Sequence, residues 1–189
     1  MGPRVVLDAC VLLPPQQRNL LLQLAFEELF EACWTDRIIE EWLRNVDVAE
    51  DRVRCEHRTL PLMRRAFPKA TLPAVGDAEI GTTDVKDRHV AQAALSVVPC
   101  TLLSWNLRDF DGSALRQLGV EVRSPDDFLC RLYDTNPALV VDITRRAMAN
   151  LRRTAPSWSS YLVALERNNL HGFVGRLLAF ERSGGSGQE

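Results

Sequence analysis

Three apolar residues running into an acid, Val5-Val6-Leu7-Asp8, constrain this chain more than any other stretch. A short continuous apolar run with two β-branched members suits a strand covered on both faces, as in a parallel sheet between helices. In open α/β sheets the chemistry gathers at the carboxyl ends of strands, which is where Asp8 would stand. Aspartate is equally at home as the cap of a helix that follows such a strand. Both readings of Asp8 stand until other residues are placed beside it.

Apolar periodicity orders the rest. Leu20, Leu21, Leu24, Phe26, Leu29 and Phe30 predict one helix over 16–33. Thr35-Asp36 offers the cap of a second, over 37–46, with Ile38, Trp42 and Val46 on one face and Glu41 beside it. A basic helix over 49–67 ends before Pro68, and 68–84 reads as loop with one short strand near 72–75. The residues Val90, Ala91, Ala94, Leu95 and Val98 give a helix over 84–98 an alanine-rich face suited to close packing, with Asp87 in its first turn. A strand over 101–104, a loop over 105–110, a short helix closed by Gly119 and a strand over 120–122 follow. Ser124-Pro125 opens another helix. Patterns over 137–153, 159–167 and 172–182 make the last third wholly helical, with Val140, Ile143, Ala147 and Leu151 opposite Arg145, Arg146, Arg152 and Arg153 on the first of them. Alternating strands and helices predict an α/β fold with a parallel sheet.

Composition narrows the class. The 189 residues carry a net charge of −2, so the whole molecule has no basic field for nucleic acid, but the charge is unevenly spread. Eight acids against two bases lie between Glu27 and Glu50, and six bases against two acids between Asp51 and Ala70. An acidic site beside a basic wall, Arg52 to Arg65, suits a phosphodiester; a solvated helix face is the plainer reading. The five cysteines are scattered, without zinc or redox spacing, and read as reduced core residues. Without a signal peptide before Val5 or an apolar run near the roughly 18 residues of a membrane span, the expectation is a cytoplasmic protein with no membrane partner.

A doubly wound sheet with short loops would bring Asp8, Asp87, Asn106 and Asp109 to one edge, with Glu41 leaning over it from its helix. Clustered carboxylates repel by about 1 to 4 kcal/mol per pair at 4 Å, and a hard divalent cation relieves that. Mg²⁺ or Mn²⁺ takes oxygen ligands, keeps several waters and can activate one of them. The residues themselves lead as far as a metal-dependent α/β enzyme.

Four stretches also resemble the signatures of the PIN-domain nucleases: Val-Val-Leu-Asp8, Trp34-Thr-Asp-Arg-Ile-Ile-Glu-Glu41-Trp, Asp87-Arg-His-Val-Ala-Gln-Ala-Ala and Ser104-Trp-Asn106-Leu-Arg-Asp109-Phe. Together they cover 5–128, and the nearest subgroup is the VapC-type ribonucleases of bacterial toxin–antitoxin modules. The resemblance implies a three-layer α/β/α core over 1–130; the helical patterns beyond it read as a C-terminal extension over 131–183, and the ending Gly184-Gly185-Ser186-Gly187 as a flexible tail over 184–189. It also implies cleavage of RNA with Mg²⁺ or Mn²⁺, a homodimer and a cognate antitoxin. By position, Asp8, Glu41, Asp87 and Asp109 match the catalytic acids, and Asp8, Asp87, Asp109 and Asn106 the metal ligands. Glu40 is the alternative to Glu41 under a one-residue slip, and Asp84 the lesser alternative to Asp87. One departure is plain: Asn106 stands where the family pattern has an aspartate, which brings a carbonyl oxygen but no charge. That departure motivates a second expectation, a weakened PIN-like module that binds RNA or protein without cutting. An aspartyl-phosphate enzyme of the haloacid-dehalogenase pattern ranks below both, because Cys10 stands where that pattern wants a second aspartate. His89 and the two tryptophans, Trp42 and Trp105, read as structural. The extension is expected to form part of a dimer or antitoxin surface.

Overall fold

The computed structural model describes residues 2–151 and 154–184. The apolar run is a strand, β1 (Arg4–Leu7), with Val5, Val6 and Leu7 fully buried. A one-turn helix α1 (Ala9–Leu12) leads into α2 (Pro15–Phe26), which carries proline where its missing N–H costs nothing. Then come β2 (Glu31–Thr35) and α3 (Asp36–Arg44), capped by the Thr35 hydroxyl accepting from the Ile38 N–H. A helical arm follows: α4 (Ala49–Arg54), a π-helical turn at Cys55–Thr59 and α5 (Leu60–Ala66). After β3 (Thr71–Leu72) and a long loop come α6 (Arg88–Leu95), β4 (Cys100–Leu103), a 3₁₀ turn at Leu107–Asp109, α7 (Gly112–Gln117) and β5 (Val120–Arg123). Helices α8 (Pro125–Thr135), α9 (Pro137–Ala149), α10 (Trp158–Arg167) and α11 (His171–Arg182) complete the order.

All five strands are parallel, in the order β3-β2-β1-β4-β5. The chain winds outward from β1 to β3, then returns to lay β4 on the other side of β1. Right-handed crossovers put the helices of the two excursions on opposite faces, which gives three layers. The direction reverses between β1 and β4, the place where such sheets open a crevice at their carboxyl ends. The register Leu7↔Leu103 sets Asp8 next to Ser104 across that crevice.

The single helix predicted over 16–33 is not there. Helix α2 stops at Phe26, Glu28 turns through a positive φ of 61°, and Glu31–Thr35 is a strand. Glu-Ala-Cys-Trp has no β-branched residue, and the turn has no glycine or proline, so local composition favoured helix. Tertiary pairing decides otherwise: Val5 pairs Ala32 on one side, Trp34 pairs Thr71 on the other, and Trp34 is fully buried. The helix predicted from 84 begins only at Arg88. Arg152 and Arg153, and the tail beyond Gly184, lie outside the described residues.

Side chains tie the elements together. The buried Arg18 guanidinium donates to the Leu12 carbonyl at 2.6 Å and lies 4.9 Å over the Trp42 ring, joining the end of α1 to α3. Helix α9 packs along α2 through the predicted face of Val140, Ile143 and Ala147, and α11 packs on α8. There the Asp126 carboxylate accepts from the N–H groups of Gly172 and Phe173, both at 2.9 Å, and Arg176 grips Asp134 through two nitrogens at 2.8 and 2.9 Å. All five cysteines are free, four of them buried. Among the described residues no helix is long and apolar enough to cross a membrane.

Candidate functional site

Asp8 occupies the cap position of α1, yet its carboxylate makes no capping bond. It turns across the switch instead, where Oδ2 accepts from Ser104 Oγ at 2.6 Å and from Cys10 Sγ at 3.1 Å. Its own N–H prolongs the ladder to the Leu103 carbonyl. Ser104 Oγ in turn accepts from the Asn106 N–H at 3.0 Å, so one hydroxyl links the ends of β1 and β4 to the loop beyond. Burial pushes the Asp8 carboxyl above its ordinary range; the Ser104 and Cys10 bonds pull it back, and the Glu41 charge adds to the rise. The Cys10 thiol is pushed up to about 12, first by burial and then by Asp8, so it stays protonated and is a donor rather than a thiolate ligand.

Asp87 arrives from the other helix layer. It caps α6 by position but again makes no capping bond, and only 5% of it is exposed. Its Oδ2 is buried without a hydrogen-bond partner. Burial, then the Asp8 charge, raises its pKa to about 6, against the pull of Lys86. Lys86 lies 4.0 Å from Asp87 Oδ2 and 3.3 Å from Asp109 Oδ2, an exposed ammonium standing between two acids.

Asp109 is placed by lacing between two loops. Its carbonyl accepts from the Asp84 N–H at 2.8 Å, and the Asp111 N–H reaches Thr83 Oγ1 at 3.0 Å. The Asp111 carboxylate closes the lacing by accepting from Thr82 N and Ala114 N. Gly81, at φ +50°, lies so close that an added Cβ would stand 2.2 Å from Asp111 Oδ2.

Glu41 sits on α3 with its side chain one-third exposed, and His89 Nε2 is 3.2 Å from its Oε2. His89 Nδ1 faces the Lys86 carbonyl at 2.9 Å and must donate to it, since a carbonyl only accepts. That contact holds Glu41 below its usual carboxylate range, His89 first and the nearby arginines after.

The structure thus brings Asp8, Asp87 and Asp109 to one crevice, with Glu41 at its side. Glu40 is exposed, and Glu41 is the one whose charge reaches Asp8. Asp84 is exposed and accepts from the Lys86 N–H. Asn106 departs from expectation: its side chain is exposed and makes no hydrogen bond, and its backbone does the bridging. Sequence reading gave no role to Ser104 or Lys86, took Cys10 for a reduced core residue and read His89 as structural. The register of β1 with β4 was the signal for Ser104. For His89, two positions past Asp87 on a short helix, no sequence signal existed.

Among the described residues no three His, Cys, Asp or Glu side chains stand close enough to form a metal-binding group. Mg²⁺ and Mn²⁺ need fewer, one or two carboxylates with water completing the shell. The Asp87 oxygen without a hydrogen-bond partner, the all-oxygen donors and two acids raised first by burial fit such an ion.

Residues 125–179, from the start of α8 into α11, match the family model described as the VapC50 C-terminal domain, which points to a VapC-related family. Comparison with curated proteins and with solved structures gives no match.

Proposed function

We propose that this chain is a divalent-metal-dependent endoribonuclease of the PIN type, the toxin of a bacterial toxin–antitoxin module. The observation that carries the reading is the pair Asp8 and Asp87. Both are buried at the topological switch, burial holds both carboxyls above their ordinary range with the Asp8 charge adding to the rise at Asp87, and one Asp87 oxygen lacks a hydrogen-bond partner. A protein core does not keep two such groups for stability, because each costs free energy where it stands. The VapC relation of residues 125–179 supports the toxin assignment and a cognate antitoxin; a homodimer and a cytoplasmic setting are further parts of the proposal.

Asp8, Asp87 and Asp109 would hold Mg²⁺ or Mn²⁺. Such an ion supplies an acidified water and a counter-charge for the phosphate. The chain's own residues prepare the place. Ser104 orients the Asp8 carboxylate, Glu41 is steered by His89 toward the crevice, and Lys86 offers a cation to a departing or bridging phosphate oxygen. Leu7 and Leu103 wall off the sheet side from water.

A weakened module that binds without cutting is the second reading, favoured by the free side chain of Asn106. The test is metal-dependent cleavage of a mixed RNA pool, with EDTA and Asp8→Asn as controls. RNA binding without cleavage in any metal would favour the module.

A further inference from the structure

We propose that Arg37 and Arg88 form a seat for the RNA phosphates flanking the scissile bond, and that the loop acids Asp77 and Glu79 hold both guanidinium groups there until RNA displaces them. The inference rests on the ribonuclease reading and assigns the substrate contacts of that site.

Placement comes first. Arg37 precedes Glu41 by one helical turn on α3, so the two side chains share a face. Arg88 follows Asp87 directly as the first residue of α6. Each arginine therefore flanks an acid of the crevice, from a different element. The loop between β3 and α6 spans them: Asp77 Oδ1 accepts from Arg37 Nη1 at 2.5 Å, Glu79 lies 3.8 Å from Arg88 Nη2, and the Gln92 amide fastens the loop to α6 through the Ala78 carbonyl at 3.2 Å. Asp77 is held low first by its bond from Arg37, and the Arg88 charge adds to the effect.

The pairing is not a tight closure. Arg37 and Asp77 are each about half exposed, at 49% and 51%. Glu79 is 75% exposed, and its contact with Arg88 is too long for a hydrogen bond. Arg88 Nε is buried without a hydrogen-bond partner. Exposed ion pairs of this kind hold an equilibrium by a few-fold at most. A phosphate meets a guanidinium through two parallel bonds and brings a full charge, so it replaces such carboxylates readily. With a net charge of −2 the chain cannot attract RNA as a whole, and the cations must act locally.

The experiment measures anisotropy of fluorescein-labelled single-stranded RNA of mixed sequence against the full chain carrying Asp8→Asn, in Mg²⁺, over a salt series. On that background Arg37→Ala and Arg88→Ala should each weaken binding by about tenfold and flatten the salt slope by about 0.7. Asp77→Asn and Glu79→Gln, which free the arginines without removing them, should tighten it by about two- to fivefold. Opposite signs are the mark of a phosphate seat. Two results overturn the inference: arginine and acid variants shifting affinity in the same direction, as a mere loop pin requires, or no shift in either. Since Arg88→Ala risks misfolding, thermal melts accompany it and Glu79→Gln reports on the same pair independently. Cleavage by the wild-type chain is measured alongside. Metal-dependent cleavage with unchanged affinities removes the arginine seat alone, whereas neither cleavage nor RNA binding removes both readings.

Discussion

Replacing Asp87 by asparagine should make the metal-free protein more stable, and only at neutral to alkaline pH. The folded chain gives this carboxyl a pKa of about 6 against an ordinary 3.8, burial being the first cause and Asp8 the second. The folded state therefore keeps a proton that the unfolded chain has already lost. Stability falls as pH rises from near 4 through about 6, and stays reduced above that. At roughly 1.4 kcal/mol per tenfold in acidity the cost is about 3 kcal/mol, and water at the open side of the crevice brings it to about 2 kcal/mol. Asparagine has the same shape and no charge, so in EDTA at pH 8 Asp87→Asn should gain about 2 kcal/mol, or about 4–8 °C in Tm for a chain of this size. At pH 4 nearly all of the gain should vanish. Carboxyls held low, such as Glu41, Asp77 and Asp111, have the opposite pH dependence but are common to both proteins and cancel in the difference. Manganese should reverse the order, stabilising the wild type by about 2.7 kcal/mol at a hundredfold excess over Kd and leaving the variant nearly unmoved. The assay is thermal unfolding by circular dichroism at the two pH values, with EDTA and with Mn²⁺. A variant less stable at pH 8, or a gain equal at both pH values, would refute the reasoning.

Three further outcomes follow from the same geometry. Ser104→Ala strips Asp8 of its 2.6 Å donor and the Asn106 N–H of its acceptor; urea unfolding should show a loss of about 1–3 kcal/mol, and calorimetry a weaker affinity for Mn²⁺. Lys86→Met removes the ammonium that stands by Asp87 and Asp109; Mn²⁺ should then bind about two- to fivefold more tightly while RNA cleavage slows, a split that separate titrations would reveal. Gly81→Ala forces a Cβ against an Asp111 carboxylate already held by two backbone N–H groups, at a φ that alanine resists; a loss of about 1–3 kcal/mol in stability is expected, together with reduced Mn²⁺ affinity.

The parallel core was legible because Val5-Val6-Leu7, the alanine face of α6 and the run to Leu103 each carry their own pattern. Strand β2 was not: helix-forming Glu and Ala and a turn at Glu28 without glycine concealed a segment fixed by its two neighbours in the sheet. At the site, Asp8 and Asp87 were legible as acids at the end of a strand and near the start of a helix, whereas Glu41, inside α3, and Asp109, in a turn, were singled out by the resemblance of their stretches. What surrounds them was hidden. The Ser104 bond depends on strand register, the His89 contact on the angle between α3 and α6, and the Lys86 position on a turn that shortened the helix predicted from 84. Asn106 shows the converse, a residue read from its place in a pattern whose side chain points to solvent while its backbone makes the link.

The most direct measurement of the central claim is the rate at which the purified chain cuts a mixed pool of structured and single-stranded RNAs in Mn²⁺, beside EDTA and beside Asp8→Asn and Asp87→Asn. Cleavage that needs the metal and both acids is the expected result. Cleavage by either variant at the wild-type rate, with contaminating nuclease excluded, would contradict the account, as would a wild-type chain that neither binds Mn²⁺ nor cuts any RNA.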